Sequence, residues 1–580
     1  MLDIIREAPF GQLVRLLTRG KALPYPEELS TFSLPASYGD GPESAQVKHS
    51  GAPSSSSSSR SSIKDEDMER QPSRDLPLTS SPTNATDLIA AQQQQALEKT
   101  TSSPIAPVKT ADGLILADWY ATDDAANPQN WSQWKKAFVA LQIDLYTFVV
   151  YAGSSIYVSS ELGVMAEFGV GAPKASLGLA LYVLGYGIGP LLWAPMSEIP
   201  TFGRNVPYVA SFAIYLILCV PTALSNNLAG LLVLRFLQGF LGSPCLANGG
   251  ASMQDLYSFM YLPYSLSSWV SAAFAAPALG PLISGFAVTA ENWRWSLWEI
   301  LWMASPVFLL WFFFLPETSA SNILLRRATR LRQLTGNERI RSQAEINRRG
   351  LTTNAIVFDA LIKPLEIMIK DPAVLFTNLY TALTYGIYYS FFEVFALVYG
   401  PIYGFNLGET GALFVCIVVG CVLAMAIYFS YIHFSLIPDM KANGMRPQEW
   451  RLRPALLAVF GPPIGLFLFA WTANEHVHWI VSVIGITIYA LSCYILLQCI
   501  FVYIPMTYPP YAASLFASND LCRSAFATGA VLFSRPMFIN LGIGQGVSLL
   551  AGLSVMGIIG MWLLYFYGAD LRARSKFALS

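Results

Sequence analysis

The chain has 580 residues; 54% of them are hydrophobic, 13% are charged, and the formal net charge is −1. Water-soluble domains carry about 25% charged residues, so this composition excludes an ordinary soluble protein and predicts a membrane protein. The near-zero net charge also excludes a global electrostatic attraction to nucleic acid.

The first 136 residues are predicted to form a separate N-terminal region. They include "SSSSSS" at 54–59 and "QQQQ" at 92–95, a composition that buries too little apolar surface to offset chain entropy. We therefore expect disorder over about 40–115. The opening stretch "MLDIIREAPFGQLVRLLT" is amphipathic, which predicts a short helix on the inner leaflet or on the protein itself.

Twelve apolar runs follow, each long enough to cross a hydrocarbon core of about 30 Å as a helix. They lie at approximately 137–158, 175–195, 206–224, 229–252, 263–288, 296–315, 373–399, 410–432, 455–473, 478–503, 511–533 and 543–567. Six occupy residues 137–316 and six occupy 372–567, with a hydrophilic connecting loop at 317–371 and a tail at 568–580. The predicted fold is an all-α polytopic membrane protein with 12 transmembrane helices in two halves. This layout is typical of transporters that bind substrate between the halves.

Basic residues concentrate in the loops on one side of the predicted membrane. They include Arg326, Arg327, Arg330, Arg332, Arg339, Arg341, Arg348 and Arg349 in the connecting loop, and Arg572, Arg574 and Lys576 in the tail. The opposite loops are short and poor in Lys and Arg, as at "SNN" (225–227) and "NLG" (540–542). The positive-inside rule therefore predicts that both termini are cytoplasmic, which agrees with an even number of spans.

Several polar side chains fall inside the predicted spans. They are Asp144 in the first, Arg235 and Gln238 in the fourth, Glu393 in the seventh, and Asp520 and Arg523 in the eleventh. Charged groups in a membrane are costly and usually face protein or a water-filled cavity. A carboxyl group in such a cavity can bind and release a proton as water access changes, which is the chemistry of a proton-coupled exporter.

Each of these groups also has a structural interpretation. Glu393 lies beside Tyr388, Tyr389 and Phe392, aromatic residues that suit an apolar or cationic ligand; its alternative is a hydrogen-bonded structural carboxyl. Asp144 lies near the cytoplasmic end of its span, where contact with water is the alternative to a proton-coupling role. Asp520 and Arg523 are one helical turn apart, and the favoured interpretation is mutual neutralisation.

Three stretches carry a family resemblance. They are "GPLLWAPMSEIPTFGRN" (189–205), with Glu198, Gly203 and Arg204; "RFLQGFLGSP" (235–244); and "APALGPLISGF" (276–286), with Pro277, Gly280, Pro281 and Gly285. In this order they resemble the cytoplasmic-loop, fourth-span and fifth-span motifs of the twelve-span drug:proton antiporters of the major facilitator superfamily. Further stretches, such as "NPQNW" (127–131) and "YAASLFASNDLCRSAFA" (511–527), resemble the fungal benomyl, methotrexate and fluconazole resistance transporters.

The motifs suggest conformational roles. We expect Glu198 and Arg204 to pair across helix ends and hold one conformation of the bundle, although Glu replaces the family's Asp and "IPT" (199–201) lengthens the spacing. The small residues and prolines of "APALGPLISGF" predict a kinked helix with a tight contact. The resemblance implies that this contact joins the two halves and restrains leakage, and that Arg235 acts in proton coupling.

The resemblance implies a plasma-membrane multidrug exporter that exchanges hydrophobic or amphiphilic small molecules for protons by alternating access. The expected partners are these substrates, protons and the lipid bilayer, with no nucleic acid, no metal and no cofactor; the proton gradient is the energy source, and a monomer is expected. No catalytic constellation is present, so no enzyme activity is expected. Two alternatives are a dedicated exporter of one endogenous metabolite, toxin or polyamine, and a transporter-like sensor.

Overall fold

A computed structural model describes residues 2–35, 38, 102–110, 112–258, 260–347, 362, 365–444, 446–508 and 512–575. Within these residues, eleven helical segments are long and apolar enough to cross a membrane: Gln133–Phe168, Ala172–Glu198, Asn205–Ala223, Leu228–Leu256, Leu262–Ala290, Trp295–Phe314, Pro372–Val398, Leu407–Asn443, Gln448–Thr472, Trp479–Thr507 and Ile543–Arg574. The helix Ala512–Leu541 precedes the last of them. In chain order we number these twelve segments spans 1 to 12.

The twelve predicted spans thus correspond to eleven apolar segments and one more polar helix. Span 11 is 30 residues long, but Asn519, Asp520 and Arg523 interrupt its apolar sequence. Hydropathy alone does not qualify it as a span. Its position in the bundle does, because it packs along span 7 and span 2.

Several spans are built from more than one helical piece. Span 1 comprises Gln133–Ser155, the 3-10 turn Ile156–Ser160 and Glu161–Phe168; span 2 comprises Ala172–Ala175 and Leu177–Glu198; span 4 comprises Leu228–Gly242 and Pro244–Leu256. Span 8 comprises Leu407–Leu413, Val415–Tyr431, the π-turn Ile432–Leu436 and Ile437–Asn443. Span 9 comprises the 3-10 turn Gln448–Leu452, Arg453–Ala458 and Gly461–Thr472. The other spans are single helices.

Span 1 extends beyond its predicted end at 158. The helix runs to Phe168 and ends at Gly169, whose φ of 62° is the left-handed conformation common at helix C-termini. The prediction stopped early because Glu161 and Glu167 lower the hydropathy there. The extension brings Glu161 into the bundle.

The two halves meet mainly along two pairs of spans. Span 2 packs along span 11, and span 5 packs along span 8. Buried hydrophobic side chains continue through both halves as one core. The polar residues at these contacts therefore lie between the halves.

The N-terminal region packs against the connection between the halves. Strand β1 (Ile115–Leu116) pairs in parallel with β2 (Ile340–Arg341), and helix Ala320–Thr335 occupies the start of the predicted connecting loop. Arg327 of this helix lies 2.6 Å from Asp124, a charge pair that links the two regions. A small second core forms there from Tyr38, Ile115, Ala117, Ala328, Leu331 and Ile340.

The predicted disordered stretch, about 40–115, lies mostly outside the described residues. Its last part differs from the prediction: Pro104 and Lys109 form antiparallel bridges with Ala121 and Ile115. Ala121 lies outside the polar stretch and Ile115 is its last residue, so the composition of the stretch does not reveal these pairings.

The opening stretch forms two short helices, Leu2–Glu7 and Pro9–Leu17. The Phe10 ring lies 4.9 Å from that of Phe313 at the end of span 6, so the helix Pro9–Leu17 lies on the protein, while Leu16 and Leu17 remain exposed. At the other terminus, the Ser575 hydroxyl donates to Asp371 Oδ2 at 2.6 Å, just before span 7. Phe10 and Ser575, near the two ends of the described residues, thus lie on the face where spans 1 and 7 begin. We call this the terminal face and the opposite one the distal face.

Candidate transport site between the two halves

Tyrosine hydroxyls connect the halves at the centre of the bundle. Tyr186 of span 2 lies 2.7 Å from Tyr385 and 2.9 Å from Tyr389, both on span 7, measured between hydroxyl oxygens. Tyr389 also lies 3.0 Å from Ser154 Oγ of span 1. All four side chains are buried. Tyr389 was predicted from the sequence; Tyr186 was missed because "LGYGIGP" reads as ordinary span.

The space beside this network is small. A cavity of about 10 Å³ is lined by Tyr151, Trp269, Val270, Ala273, Phe274, Tyr385, Leu497, Phe501 and Arg523. This volume is about the minimum for one water molecule. The described residues that line this cavity therefore leave little free space, and aromatic side chains of the two halves are in contact there, as at Trp269 and Phe501.

Asp520 and Arg523 lie next to this cavity as an ion pair. Arg523 Nη2 donates to Asp520 Oδ1 at 2.6 Å and lies 3.4 Å from the Tyr151 hydroxyl. The guanidinium carbon is 4.9 Å from the centre of the Tyr385 ring, within cation–π range. The geometry fits mutual neutralisation, and it also places a cation at the wall of the central cavity.

Arg235 lies inside the N-terminal half, away from that cavity. Its guanidinium is fully buried and donates to the carbonyl oxygens of Gly153 at 2.9 Å and Ser154 at 3.1 Å, just before the 3-10 turn of span 1. Gln238 accepts from Arg235 at 3.5 Å. Among the described residues Arg235 has no carboxylate partner, and its contacts support the break in span 1.

Asp144 lies between spans 1 and 5, far from Glu393. Its Oδ2 accepts a hydrogen bond from Ser268, and its Oδ1 is buried without a hydrogen-bond partner in the described part of the chain. It is eleven residues into span 1, roughly 16 Å along the helix axis from the terminal face. The structure thus separates Asp144 from the distal carboxyl groups.

The terminal-face loop corrects one predicted pair. Arg204 Nε lies 3.2 Å from Asp255 Oδ2 at the end of span 4, and Arg204 also donates to Ser197 Oγ at 2.9 Å. Glu198, the last residue of span 2, is exposed. Among the described residues Arg204 forms its ion pair with Asp255 and not with Glu198, although the Glu198 carboxylate is near enough to act on the Arg204 charge. Burial disfavours the charged guanidinium, but the carboxylates of Asp255 and, to a smaller extent, Glu198 outweigh this effect and raise the pKa of Arg204.

Glu317, in the stretch "LPET", completes the same loop. Its carboxylate accepts from the backbone N–H groups of Arg204 at 3.0 Å, Asn205 at 3.2 Å, Thr318 at 3.0 Å and Ser319 at 2.9 Å. Gly203 adopts φ of 68°, and a Cβ there would approach Glu317 Oε2 to 2.5 Å, so the turn requires glycine. We call Arg204, Asp255 and Glu317 the terminal cluster; the sequence analysis found only the first.

Span 5 is continuous through "APALGPLISGF" and makes a tight contact on each side. A Cβ on Gly280 would overlap Ser155 of span 1, and a Cβ on Gly285 would lie 3.1 Å from the carbonyl oxygen of Leu407 in span 8. Gly411 of span 8 lies directly against Pro281. Pro277 is buried in the same helix. One row of small residues therefore packs within the N-terminal half and the other across the halves.

Glu393 lies near the distal end of span 7 and is 4% exposed. Its Oε1 accepts from Ser176 Oγ of span 2 at 3.0 Å, and its Oε2 lies 3.4 Å from Arg535 Nη1 of span 11. Glu161 Oε2 of span 1 is also 3.0 Å from Ser176 Oγ. We call Glu161, Ser176, Glu393 and Arg535 the distal cluster.

The predicted aromatic neighbours of Glu393 surround its helix. The Phe392 ring lies 5.3 Å from Tyr389 and 5.1 Å from Phe414 of span 8, and the Tyr388 hydroxyl donates to the Phe274 carbonyl of span 5 at 3.1 Å. These residues form a packed wall between the central cavity and the distal cluster. Glu161 was missed because the predicted first span ended before it.

Two six-helix halves with buried polar groups between them define a polytopic membrane transporter. The Major Facilitator Superfamily profile matches residues 143–527, and the chain belongs to this family. It is a transporter related to fungal drug-resistance exporters, not an enzyme.

Three curated relatives cover most of the chain. "MFS-type transporter pyvG" of Aspergillus violaceofuscus is 46% identical over 472 residues, 81% of this chain and 87% of the relative. "Fluconazole resistance protein 1" of Saccharomyces cerevisiae is 40% identical over 465 residues, 79% and 84% of the two chains. "Ascochitine biosynthesis cluster MFS transporter" of Didymella fabae is 34% identical over 514 residues, 84% and 98%. The chain is thus related both to multidrug transporters and to a metabolite-cluster transporter.

Among solved structures, the proton:xylose symporter XylE of E. coli superposes with a TM-score of 0.54 at 13% sequence identity. The match covers 75% of this chain and 97% of XylE. At this identity the comparison supports the fold alone.

Proposed function

We propose that the protein exports hydrophobic or amphiphilic small molecules from the cytoplasm across the plasma membrane in exchange for protons. The terminal face, rich in arginine, is cytoplasmic in this proposal, and the distal face is external. Substrate binds between the halves, which open alternately to each side. A single chain supplies both halves and acts as a monomer.

One observation carries the proposal: a buried, hydrogen-bonded carboxyl, Glu393, lies at the contact between the halves. A buried carboxyl group at a moving interface can change its protonation as water reaches it from one side or the other. The aromatic residues around the central cavity suit apolar and cationic ligands. Sequence similarity to a fluconazole resistance protein supports drug-like substrates.

The test uses purified protein in liposomes with an imposed pH gradient. Radiolabelled fluconazole is the first probe, followed by a panel of amphiphilic cations, and an internal pH dye follows protons. We expect the gradient to drive substrate movement with proton movement in the opposite direction, and a protonophore to abolish both. Substrate movement that ignores the gradient would contradict proton coupling, and no movement of any probe would contradict multidrug export.

A second candidate is a dedicated exporter of one endogenous metabolite. It is favoured by the ascochitine-cluster relative, which the alignment covers almost completely. A deletion strain separates the two candidates: multidrug export predicts increased sensitivity to several unrelated compounds, whereas a dedicated exporter predicts lost secretion of one compound with unchanged drug sensitivity.

A further inference from the structure

We propose that Glu161 and Glu393 share one proton across the two halves, and that this proton holds the distal face closed. The direction of coupling rests on the proposed function. The shared proton itself is argued from the geometry of the distal cluster.

The single hydroxyl of Ser176 lies between the two glutamates. Ser176 Oγ lies 3.0 Å from Glu161 Oε2 and 3.0 Å from Glu393 Oε1. A serine hydroxyl donates one hydrogen, and an ionised carboxylate only accepts. With both glutamates ionised, one of the two contacts therefore has no hydrogen between its oxygens. A single proton on either glutamate completes both, because the acid donates to Ser176 and Ser176 donates to the other carboxylate.

The distal cluster has one cation for two carboxyl groups. Arg535 lies 3.4 Å from Glu393. With both glutamates ionised, the cluster has charges of −1, −1 and +1, a sum of −1; one added proton makes the sum zero. Arg535 is also 34% exposed, so it compensates a buried carboxylate weakly.

Among the described residues, the surrounding helices place no further cation in an ion pair with either glutamate. Span 1 contributes Tyr157, whose hydroxyl already donates to the Ala175 carbonyl at 3.0 Å. From span 6, Arg294 is paired with Glu167 at 2.6 Å. Span 2 contributes the neutral Ser176 and the exposed Lys174, and span 5 packs there through the Ser159–Ser284 hydrogen bond. Arg235 of span 4 donates to backbone carbonyl oxygens instead of to a carboxylate. The charge of the cluster is therefore decided by Arg535 and the two carboxyl groups.

The contact between Ser176 and the two glutamates is shielded from water. Ser176 is 2% exposed and Glu393 4% exposed, and Glu161 Oε1 is buried without a hydrogen-bond partner in the described part of the chain. A buried ion that lacks partners is strongly disfavoured. One protonated carboxyl removes the uncompensated charge and one missing hydrogen bond together.

Because the cluster spans the contact between the halves, the shared proton controls whether they stay together at the distal face; we call this proton the latch. Glu161 and Ser176 belong to the N-terminal half, whereas Glu393 and Arg535 belong to the C-terminal half. When the proton leaves to water, two adjacent carboxylates repel each other across the contact and favour separation of the halves at the distal face. When water on that face returns a proton to one carboxylate, the acid forms again and the contact closes.

The main experiment measures distances by double electron–electron resonance between spin labels on the full-length protein in nanodiscs. The labels replace Gly171 and His476, which are exposed in the structure; neither position removes a charge beside the distal cluster. Between pH 5 and pH 9 we expect the closed-to-open ratio at the distal face to fall by up to about tenfold per pH unit near its midpoint, as one linked proton requires.

The variants Glu161→Gln and Glu393→Gln supply a neutral side chain and should each make the distance independent of pH in the closed state. Glu167→Gln is the matched control, since it removes a carboxylate of the same helix that is paired with Arg294, and it should keep the wild-type response. An unchanged wild-type distance across the pH range, or a wild-type response in both cluster variants, would overturn the proposal.

Infrared difference spectroscopy provides a second readout that needs no opening motion. We expect a protonated-carboxyl carbonyl band in the wild type that disappears in each Gln variant; a band that remains in both variants would refute the shared proton. Neither measurement requires substrate. If the distance responds to pH and the carbonyl band is present while gradient-driven efflux is absent, the proposed function is wrong and the shared proton is supported. Efflux with a pH-independent distance and no such band would support the proposed function and refute the shared proton.

Discussion

The terminal and distal clusters differ in how their buried charges are compensated. The terminal cluster lies within the N-terminal half and its connection, where Arg204 pairs with Asp255 and Glu317 accepts four backbone N–H groups. The distal cluster spans both halves and has one hydrogen too few when both carboxyl groups are ionised. A saturated cluster stabilises one arrangement, whereas an unsaturated one between moving parts responds to a proton.

The largest stability effect is expected at Glu317. Glu317→Ala leaves four N–H donors without their shared acceptor, and we expect it to lower the free energy of unfolding by about 3 kcal/mol, since hydrogen bonds to charged groups contribute about 1.5–3 kcal/mol each and water replaces part of the loss. SDS titration in mixed micelles measures this. Glu338→Ala is the control, because that side chain is 81% exposed; equal effects would show that the terminal cluster is not saturated.

Asp255→Asn should have the next largest effect, about 2 kcal/mol, because it leaves the buried Arg204 guanidinium without its anion. Glu198→Gln should change stability by less than about 0.5 kcal/mol, as exposed charges contribute little. The same titration compares them. If Glu198→Gln lowered the free energy of unfolding more than Asp255→Asn, the result would favour the Glu198–Arg204 pair predicted from the sequence.

Gly203→Ala tests the close approach to Glu317, with Gly336→Ala as a matched control. Both glycines have φ of 68°, but a Cβ on Gly336 meets no atom within 4 Å. The shared backbone strain costs roughly 1 kcal/mol, and we expect Gly203→Ala to cost about 1 kcal/mol more. Thermal unfolding followed by size-exclusion fluorescence ranks the two; identical values would mean that Glu317 moves aside freely.

The distal cluster should show the smallest stability effect and a different signature. Ser176→Ala removes the bridging hydroxyl, and we expect it to change stability at low pH by less than about 1 kcal/mol. It should nevertheless shift the pH midpoint of gradient-driven efflux, because the proton loses its bridged position. Ser284→Ala is a control, since it removes a neighbouring buried hydroxyl outside the cluster; a midpoint shift there as large as that of Ser176→Ala would contradict a special role for the bridge.

The sequence predicted features that depend on local composition. Apolar runs predicted the positions of all twelve spans, because a bilayer demands about twenty apolar residues in succession. The small residues of "APALGPLISGF" predicted tight packing, which the structure places against Ser155 and Leu407. Polar residues within a helix, such as Asp520 in span 11, lower its mean hydropathy, so this predicted span is the one that hydropathy alone does not support among the described residues. The end of span 1 was misplaced for the same reason.

The partners of the polar groups were decided only by the tertiary structure. Ser176 and Glu393 are 217 positions apart in the chain, and Arg204 reaches past its sequence neighbour Glu198 to Asp255, 51 positions away. Hydropathy is a sum over neighbouring residues, so the sequence by itself determined which segments enter the membrane. A hydrogen bond requires two atoms about 3 Å apart, and only the packing of the two halves determined which carboxyl groups meet.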